Sequence, residues 1–459
     1  MASGRPVVIL MTSNGVGMGH LSRQVTTALS GPHHFDTVMF SLSRALPRVM
    51  RASEHGGLPG AAERDLRFEY GPSWESGWLP AGWRAPVRRR WRSYRWDPYL
   101  RDRLVALATE TGAQALVFDG VAPYPGLVQA RAELPGTKFA WVRRGLWRPS
   151  APAERLDASR HFDLTLEPGD VAAHADRGPT RGRSDAVRIP GAVSLTDVLP
   201  ALSRHEAREV LGLPQDRPVL LLAPGSGALG SVDATAAAVL ETVAAAGDDW
   251  VIAVTRQSIA RHTVAGDGDR VVALEDIYPL ARYLAAFDGA VSAAGYNGVH
   301  ELLTAEVPTL LVPSTSHATD DQEARAAGAA ARGMALEVRT TLSEAVRDLL
   351  DERTRDRLRR QMSALEPATG GRAIAERVTA LAADGAAPTG PPHHAKPGPA
   401  FPDLRTRAQP GSASELLFTD ELDPGTLRGH RPVEHLLRGA SPQYRAVRES
   451  IAPWLYRVR

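Results

Sequence analysis

Gly295, Asn297, Gly298 and Glu301 stand within seven residues of one another, and Asp321 and Gln322 follow twenty residues later. Asn297 is a residue type that caps helices. A helix N-terminus offers free backbone N–H groups and a partial positive charge, which attract phosphate. Glycines at 295 and 298 let a ligand approach the backbone closely. Glu301, one turn inside, can accept hydrogen bonds from ribose hydroxyls, and Asp321 and Gln322 can hold further sugar hydroxyls. Phosphate, ribose and sugar in a row describe a nucleotide-sugar. A second set lies far away in sequence. His20 ends the glycine-rich run Gly15-Val16-Gly17-Met18-Gly19, and Asp119 ends the apolar run Gln114-Ala115-Leu116-Val117-Phe118. An imidazole at a helix mouth stays neutral and can take a proton from a hydroxyl, and a carboxylate can orient it. A plain turn with a capped helix, a loop histidine and a strand-end cap account for the same residues without chemistry.

The elements that must position these residues are legible. Asp288 to Ser292 reads as a buried strand, broken by Ala293-Ala294-Gly295. A helix follows with Val299, Leu302 and Leu303 on one face, then a second buried strand from Val307 to Val312. That is a βαβ unit, whose first turn is where open α/β sheets bind ligands. Val7 to Met11 is a strand, followed after the His20 turn by a helix with Leu21, Val25, Ala28 and Leu29 on one face. In a parallel sheet the C-terminal strand ends share one edge, which places Asp119 near His20. Pro218 to Leu222 runs into Gly225-Ser226-Gly227, a second phosphate nest before the helix that starts at Val232. The run ending at His20 lacks the G-x-G-x-x-G spacing, and no acid stands clearly at the end of the next strand near Phe40, which argues against a dinucleotide site.

The string Gly295-Tyr296-Asn297-Gly298-Val299-His300-Glu301, with Asp321-Gln322, resembles the donor-binding signature of UDP-glycosyltransferases of the two-domain GT-B fold. It is also similar to the corresponding pattern of the N-acetylglucosaminyltransferase that makes peptidoglycan lipid II. It departs from the plant-type signature at Ala293, where a histidine is usual, and at Gly298, where a serine is usual. The glycine-rich turn with Gly17 and Gly19 resembles the N-terminal loop of these enzymes, and the string ending at Asp119 resembles theirs. The resemblance covers about residues 5 to 385. It implies two Rossmann-like α/β domains facing across a cleft, the acceptor on the first and the donor on the second. It implies inverting transfer from a nucleotide-sugar to a hydroxyl, with His20 as base and Asp119 as its partner, without metal or cofactor. Gly225, Ser226 and Gly227 would contact the donor diphosphate, and Ile277 would read the nucleotide base through its backbone. A nucleotide-sugar 2-epimerase and a non-catalytic nucleotide-sugar- or glycan-binding protein are the rival readings.

Composition bounds the rest. The chain has 459 residues, 43% of them hydrophobic and 23% charged, no cysteine, and a net charge of +2. The length suits two α/β domains, placed at residues 1–188 and 189–384. Absent cysteine excludes disulfides, thiolate metal sites and a thiol nucleophile. Met1 to Met11 reads as a first strand rather than a signal peptide, and no apolar run reaches membrane-span length, so a cytoplasmic protein, peripheral to a membrane at most, is expected. Trp74 to Arg103 holds five Trp, and eight Arg fall from Arg84 onward. Arg with Trp grips an anionic, small-molecule or lipid-linked acceptor, or lies on an anionic membrane surface. The balanced charge elsewhere argues against nucleic acid. Arg143 and Arg144, after a strand from Thr137 to Val142, are expected to face the cleft. Residues 385–412, with seven Pro, read as a linker, and residues 413–459 as a tail that docks on the body or binds a partner.

Overall fold

The computed structural model describes residues 4–13, 18–30, 35–61, 64, 66–73, 95–225, 233–247, 249–256, 270–315 and 317–387. Within them lie two parallel sheets. The first contains β1 (Val7–Thr12), β2 (Asp36–Ser41), β3 (Arg67–Tyr70), β4 (Ala113–Asp119), β5 (Lys138–Val142), β6 (Leu164–Glu167) and β7 (Val187–Arg188), in the order β3-β2-β1-β4-β5-β6-β7. The second contains β8 (Val219–Ala223), β9 (Val251–Arg256), β10 (Val271–Glu275), β11 (Gly289–Ala293), β12 (Thr309–Val312) and β13 (Leu336–Glu337), in the order β10-β9-β8-β11-β12-β13.

Near-continuous apolar runs such as Val-Val-Ile-Leu-Met in β1 form these strands because helices cover both faces of a parallel sheet. Ile9 and Met11 pack with Leu104, Phe118 and Trp96 on one face. Val8 and Leu10 pack on the other with Val25 of the Gly19–Leu29 helix. In the second sheet, Leu220 and Leu222 pack with Val239, Val299 and Leu310, and Leu221 packs on the opposite face with Leu302 and Leu284.

In each sheet the strand order reverses once, between β1 and β4 and between β8 and β11. At such a reversal the connecting helices leave to opposite faces and a crevice opens at the strand ends. Register puts Thr12 beside Asp119 in the first sheet and Ser292 beside Ala223 in the second. The residues that end these four strands therefore mark two crevices.

One element departs from expectation. The Gly370–Ala383 helix, within the span 189–384 expected to form the second domain, packs on the first sheet. Ile374, Val378 and Ala382 join the cluster of Val8, Leu10 and Val25. Two glycines permit the close approach: a Cβ on Gly371 would lie 2.5 Å from Ser30 Oγ, and one on Gly370 would lie 2.6 Å from the carbonyl oxygen of Ala192. Among the described residues no helix is long and apolar enough to cross a membrane. The tail, nearly all of the linker, and residues 74–94 of the Arg/Trp stretch lie outside the described residues. In the described part of that stretch, Trp96 is buried and donates to the Pro72 carbonyl. Arg101 pairs with Asp102 and Glu133, and Arg103 with Glu69 and Glu110.

Candidate functional site

At the first crevice, β1 ends at Thr12, and Met18 precedes the Gly19–Leu29 helix. Gln24, buried on this helix, donates to the carbonyls of Met11 and Val117, and so pins the helix to the ends of β1 and β4. His20, in the first turn, is thereby brought to Asp119. His20 Nδ1 lies 2.6 Å from Asp119 Oδ1. Arg23, one turn on, donates from Nε to Asp119 Oδ2 at 2.9 Å and from Nη2 to Oδ1 at 2.5 Å. Arg23 Nη2 also lies 2.8 Å from His20 Nδ1. Two donors converging on one carboxylate oxygen explain that closeness, and they set the tautomer: Nδ1–H faces Asp119, leaving Nε2 as the acceptor. Among the described residues Nε2 has no hydrogen-bond partner.

Burial lowers the His20 pKa, and the neighbouring cations Arg23 and Arg144 act in the same direction, outweighing Asp119. Burial would raise the Asp119 carboxyl, but Arg23 and the His20 hydrogen bond outweigh it and hold it below the usual carboxylate range. The result is a neutral imidazole against a carboxylate, the protonation state of a resting general base.

At the second crevice, Gly295 precedes the Tyr296–Thr304 helix in extended backbone, and no side chain caps that helix. Asn297 is therefore not the cap its type suggested. Its side chain reaches to the first domain instead, donating from Nδ2 to the Gly19 carbonyl at 3.2 Å and accepting from Arg23 Nη1 at 3.3 Å. Gly298 leaves ordinary space, its absent Cβ 3.6 Å from Ser292 Oγ. Gly225, at φ +96°, adopts a backbone conformation that favours glycine in the turn after β8. Ser226, Gly227 and Gly17 lie outside the described residues. Ile277, half-buried, follows β10. Its neighbour Asp276 pairs with Arg48 of the first domain. The Glu301 carboxyl has no hydrogen bond or ion pair among the described residues, and burial pushes it up to about 8.

Asp321 and Gln322 are both occupied. Asp321 caps the Gln322–Ala331 helix, accepting from Ala324 N at 3.0 Å. Gln322 accepts from Ser314 N and donates to Asp320. The acid that pairs with the first domain is the buried Asp320, which an expectation centred on Asp321 did not include. Asp320 Oδ1 accepts from Arg144 Nη1 at 2.8 Å and from Arg325 Nη2 at 2.9 Å. Arg325 is fully buried and also donates to Asp170 and to the Ala294 carbonyl. Arg143, expected at the cleft beside Arg144, instead turns into the first domain and forms two bonds to Asp185. His300 is structural: Val171 N–H donates to Nε2, and Nδ1 lies 2.7 Å from the Tyr296 carbonyl. Tyr296 Oη donates to the Gly169 carbonyl and accepts from Val193 N, tying the helix to the β6–β7 connection and to the segment between the sheets. Sequence signals for the missed residues exist. Arg23 stands three positions after His20, hence on the same helix face, and an acid directly before a helix is a cap, which leaves the acid before it available to pair elsewhere.

Residues 236–378 match the glycosyltransferase family 28 C-terminal domain. The UDP-N-acetylglucosamine--N-acetylmuramyl-(pentapeptide) pyrophosphoryl-undecaprenol N-acetylglucosamine transferase of Rhodococcus opacus (strain B4) is 31% identical over 271 residues, 56% of this chain and 63% of that relative. The enzyme of the same description from Clavibacter michiganensis subsp. michiganensis (strain NCPPB 382) is 33% identical over 137 residues, 28% of this chain and 35% of the relative. These alignments span less than two thirds of the relatives' length. Among solved structures, TcCGT1 in complex with UDP superposes with a TM-score of 0.57 at 15% identity, covering 83% of this chain and 100% of that one. Phytolacca americana UGT2, complexed with UDP-2fluoro-glucose and pterostilbene, gives 0.54 at 14%, covering 82% and 99%. At such identities the likeness establishes a shared fold.

Proposed function

We propose, from the premise that this is a GT-B-fold chain whose second half carries the glycosyltransferase family 28 C-terminal domain, that it moves a sugar from a nucleotide-sugar to an acceptor hydroxyl. The observation that carries the reading is the pairing of crevices. His20 with Asp119 stands at one, the uncapped helix with Glu301 at the other, and Arg23 with Asn297 joins them.

The chemistry follows from these positions. The acceptor oxygen attacks the anomeric carbon while His20 Nε2 removes its proton. The bond from the anomeric carbon to the phosphate oxygen breaks, and the electron pair leaves on the nucleoside diphosphate. Backbone N–H groups at the start of the Tyr296–Thr304 helix offset the charge that develops there, with Gly225, Ser226 and Gly227 as the further contacts that the resemblance implies. Asp119 holds the imidazole and balances the imidazolium. One displacement at the anomeric carbon inverts its configuration. The donor is a UDP-sugar in this reading, with Glu301 on the ribose hydroxyls and Ile277 beside the base. The acceptor is a small molecule or a lipid-linked sugar, and the protein works in the cytoplasm at or near a membrane surface, with no cofactor.

A thermal-shift panel of UDP, dTDP, GDP, NAD and several UDP-sugars, on the wild-type chain and on Glu301→Ala, tests this. Selective stabilisation by uridine or thymidine compounds that is lost in Glu301→Ala is the expected result. Absence of any nucleotide response at millimolar ligand overturns it.

A further inference from the structure

The Arg23 side chain spans the two crevices. It is 3% exposed, and all three guanidinium nitrogens have protein partners: Nε and Nη2 on Asp119, Nη1 on Asn297. Asn297 closes the ring by donating to the Gly19 carbonyl, one residue before His20. The guanidinium also lies over the Tyr296 ring, 5.4 Å from its centroid, so its plane is held from the second domain. A planar fork can meet two carboxylate oxygens and a third acceptor at once, and a lysine cannot.

We infer that Arg23 is a positioning residue: it fixes the Asp119 carboxylate that orients His20, and through Asn297 it makes that orientation depend on the start of the Tyr296–Thr304 helix. A ligand seated at that helix start therefore alters the geometry of the base in the other domain. The inference deepens the proposed reaction and rests on it for the nature of the ligand, but the clasp itself stands on the contacts alone. The charged groups facing His20 are Asp119 from the end of β4, Arg23 from its own helix, and Arg144 from the segment after β5, itself paired with Asp320. Asn297, which faces the same cluster from the second domain, does not titrate.

The test follows the His20 ring by NMR in the full chain with carbon-13-labelled histidine, the signal assigned by its loss in His20→Gln. In Arg23→Gln the His20 titration is expected to move to higher pH, because a cation beside the ring is gone and the undivided Asp119 charge favours the imidazolium. Arg23→Lys keeps a charge but not the fork. It should titrate near wild type and lose the change that UDP induces in the His20 signal. Asn297→Ala should likewise retain thermal stabilisation by UDP but lose that change. An Arg23→Gln protein that melts cooperatively and titrates at His20 like wild type overturns the inference. Should Arg23→Gln fail to fold, a UDP-linked His20 change surviving in both Arg23→Lys and Asn297→Ala overturns it. If UDP stabilises no form of the protein, the functional reading fails while the Arg23→Gln titration still decides the clasp.

Discussion

The crevices at β1/β4 and β8/β11 share one topology and differ in how far the protein satisfies their polar groups. At the first, His20 Nδ1, both Asp119 oxygens and all of Arg23 are bonded within the chain. At the second, the helix start is uncapped and Glu301 stands without a partner among the described residues. Unmet groups next to an opening are held for something that arrives, whereas a completed network is built to act on it. A site that is to develop charge in a transition state gains from being set beforehand, since no reorganisation is then needed at the moment of reaction. A site that must bind and release a nucleotide gains from leaving its hydrogen bonds to the ligand. In the proposed reaction this difference corresponds to chemistry at the first sheet and binding at the second.

The sharpest way to break that assignment is His20→Ala. Loss of a general base is worth about 10²–10⁴ in rate, and sugar transfer should fall by that much while stabilisation by UDP is unchanged. If nucleotide response falls too, the crevices do not divide the work. Next in size is Asp320→Ala. It leaves Arg144 and Arg325 facing each other across the domains with one acid fewer, and removal of a buried ionic partner costs about 3–5 kcal/mol. Urea unfolding should show that loss. A change within about 0.5 kcal/mol, the range of an ordinary surface substitution, would remove Asp320 from the architecture of the cleft.

Glu301 sharpens the comparison from the other side. Its carboxyl titrates near 8 rather than 4.5, so at pH 7 it is mostly protonated in the empty protein. Ribose hydroxyls donate to the carboxylate, so nucleotide binding below pH 8 should release a proton and tighten as pH rises, levelling off above about 8. Calorimetry in buffers of different ionisation enthalpy measures that proton. Hydrogen bonds to a charged group contribute about 1.5–3 kcal/mol, so Glu301→Ala should weaken UDP by roughly ten- to a hundredfold. Stability runs opposite to affinity. The folded protein keeps a proton that the unfolded chain gives up, so the empty protein loses stability as pH rises from about 4.5 to about 8. Glu301→Gln should flatten both trends, and a buffer-independent binding enthalpy at pH 7 would contradict the assignment.

These contrasts also show how much was legible beforehand. The strands and turns around both crevices could be read because buried parallel strands are apolar runs and glycine-rich turns interrupt them, so His20, Asp119 and Gly295 fell at strand ends and helix starts, with Glu301 one turn inside. Partners set by tertiary packing could not be read the same way. Asn297 has the type of a cap, yet the extended backbone at Gly295 leaves its amide free to cross to Gly19. The Gly370–Ala383 helix is amphipathic, and amphipathicity says that a face is buried without saying against what. Its Gly-Gly start was the available clue, since a close approach to Ser30 and Ala192 tolerates nothing larger. Arg143 and Arg144 are adjacent in sequence and end in different domains' networks because successive side chains diverge as the strand ends.

The smallest effect bears on the donor's sugar. Asp321 and Gln322 occupy the place where the sequence suggests contacts to sugar hydroxyls, but Asp321 accepts the Ala324 N–H and holds the helix start. A lost cap of this kind costs about 1 kcal/mol, or about 2–4 °C in melting temperature for a domain of this size. If capping is its whole role, Asp321→Ala should lower the melting temperature by that amount and leave the shifts given by UDP and by UDP-sugars equally intact. If UDP-sugars lose their advantage over UDP in this variant, the carboxylate serves the ligand as well as the helix. The second crevice would then contain a sugar contact already bonded in the empty protein, and the contrast between a completed site and a waiting one would narrow to Glu301 alone.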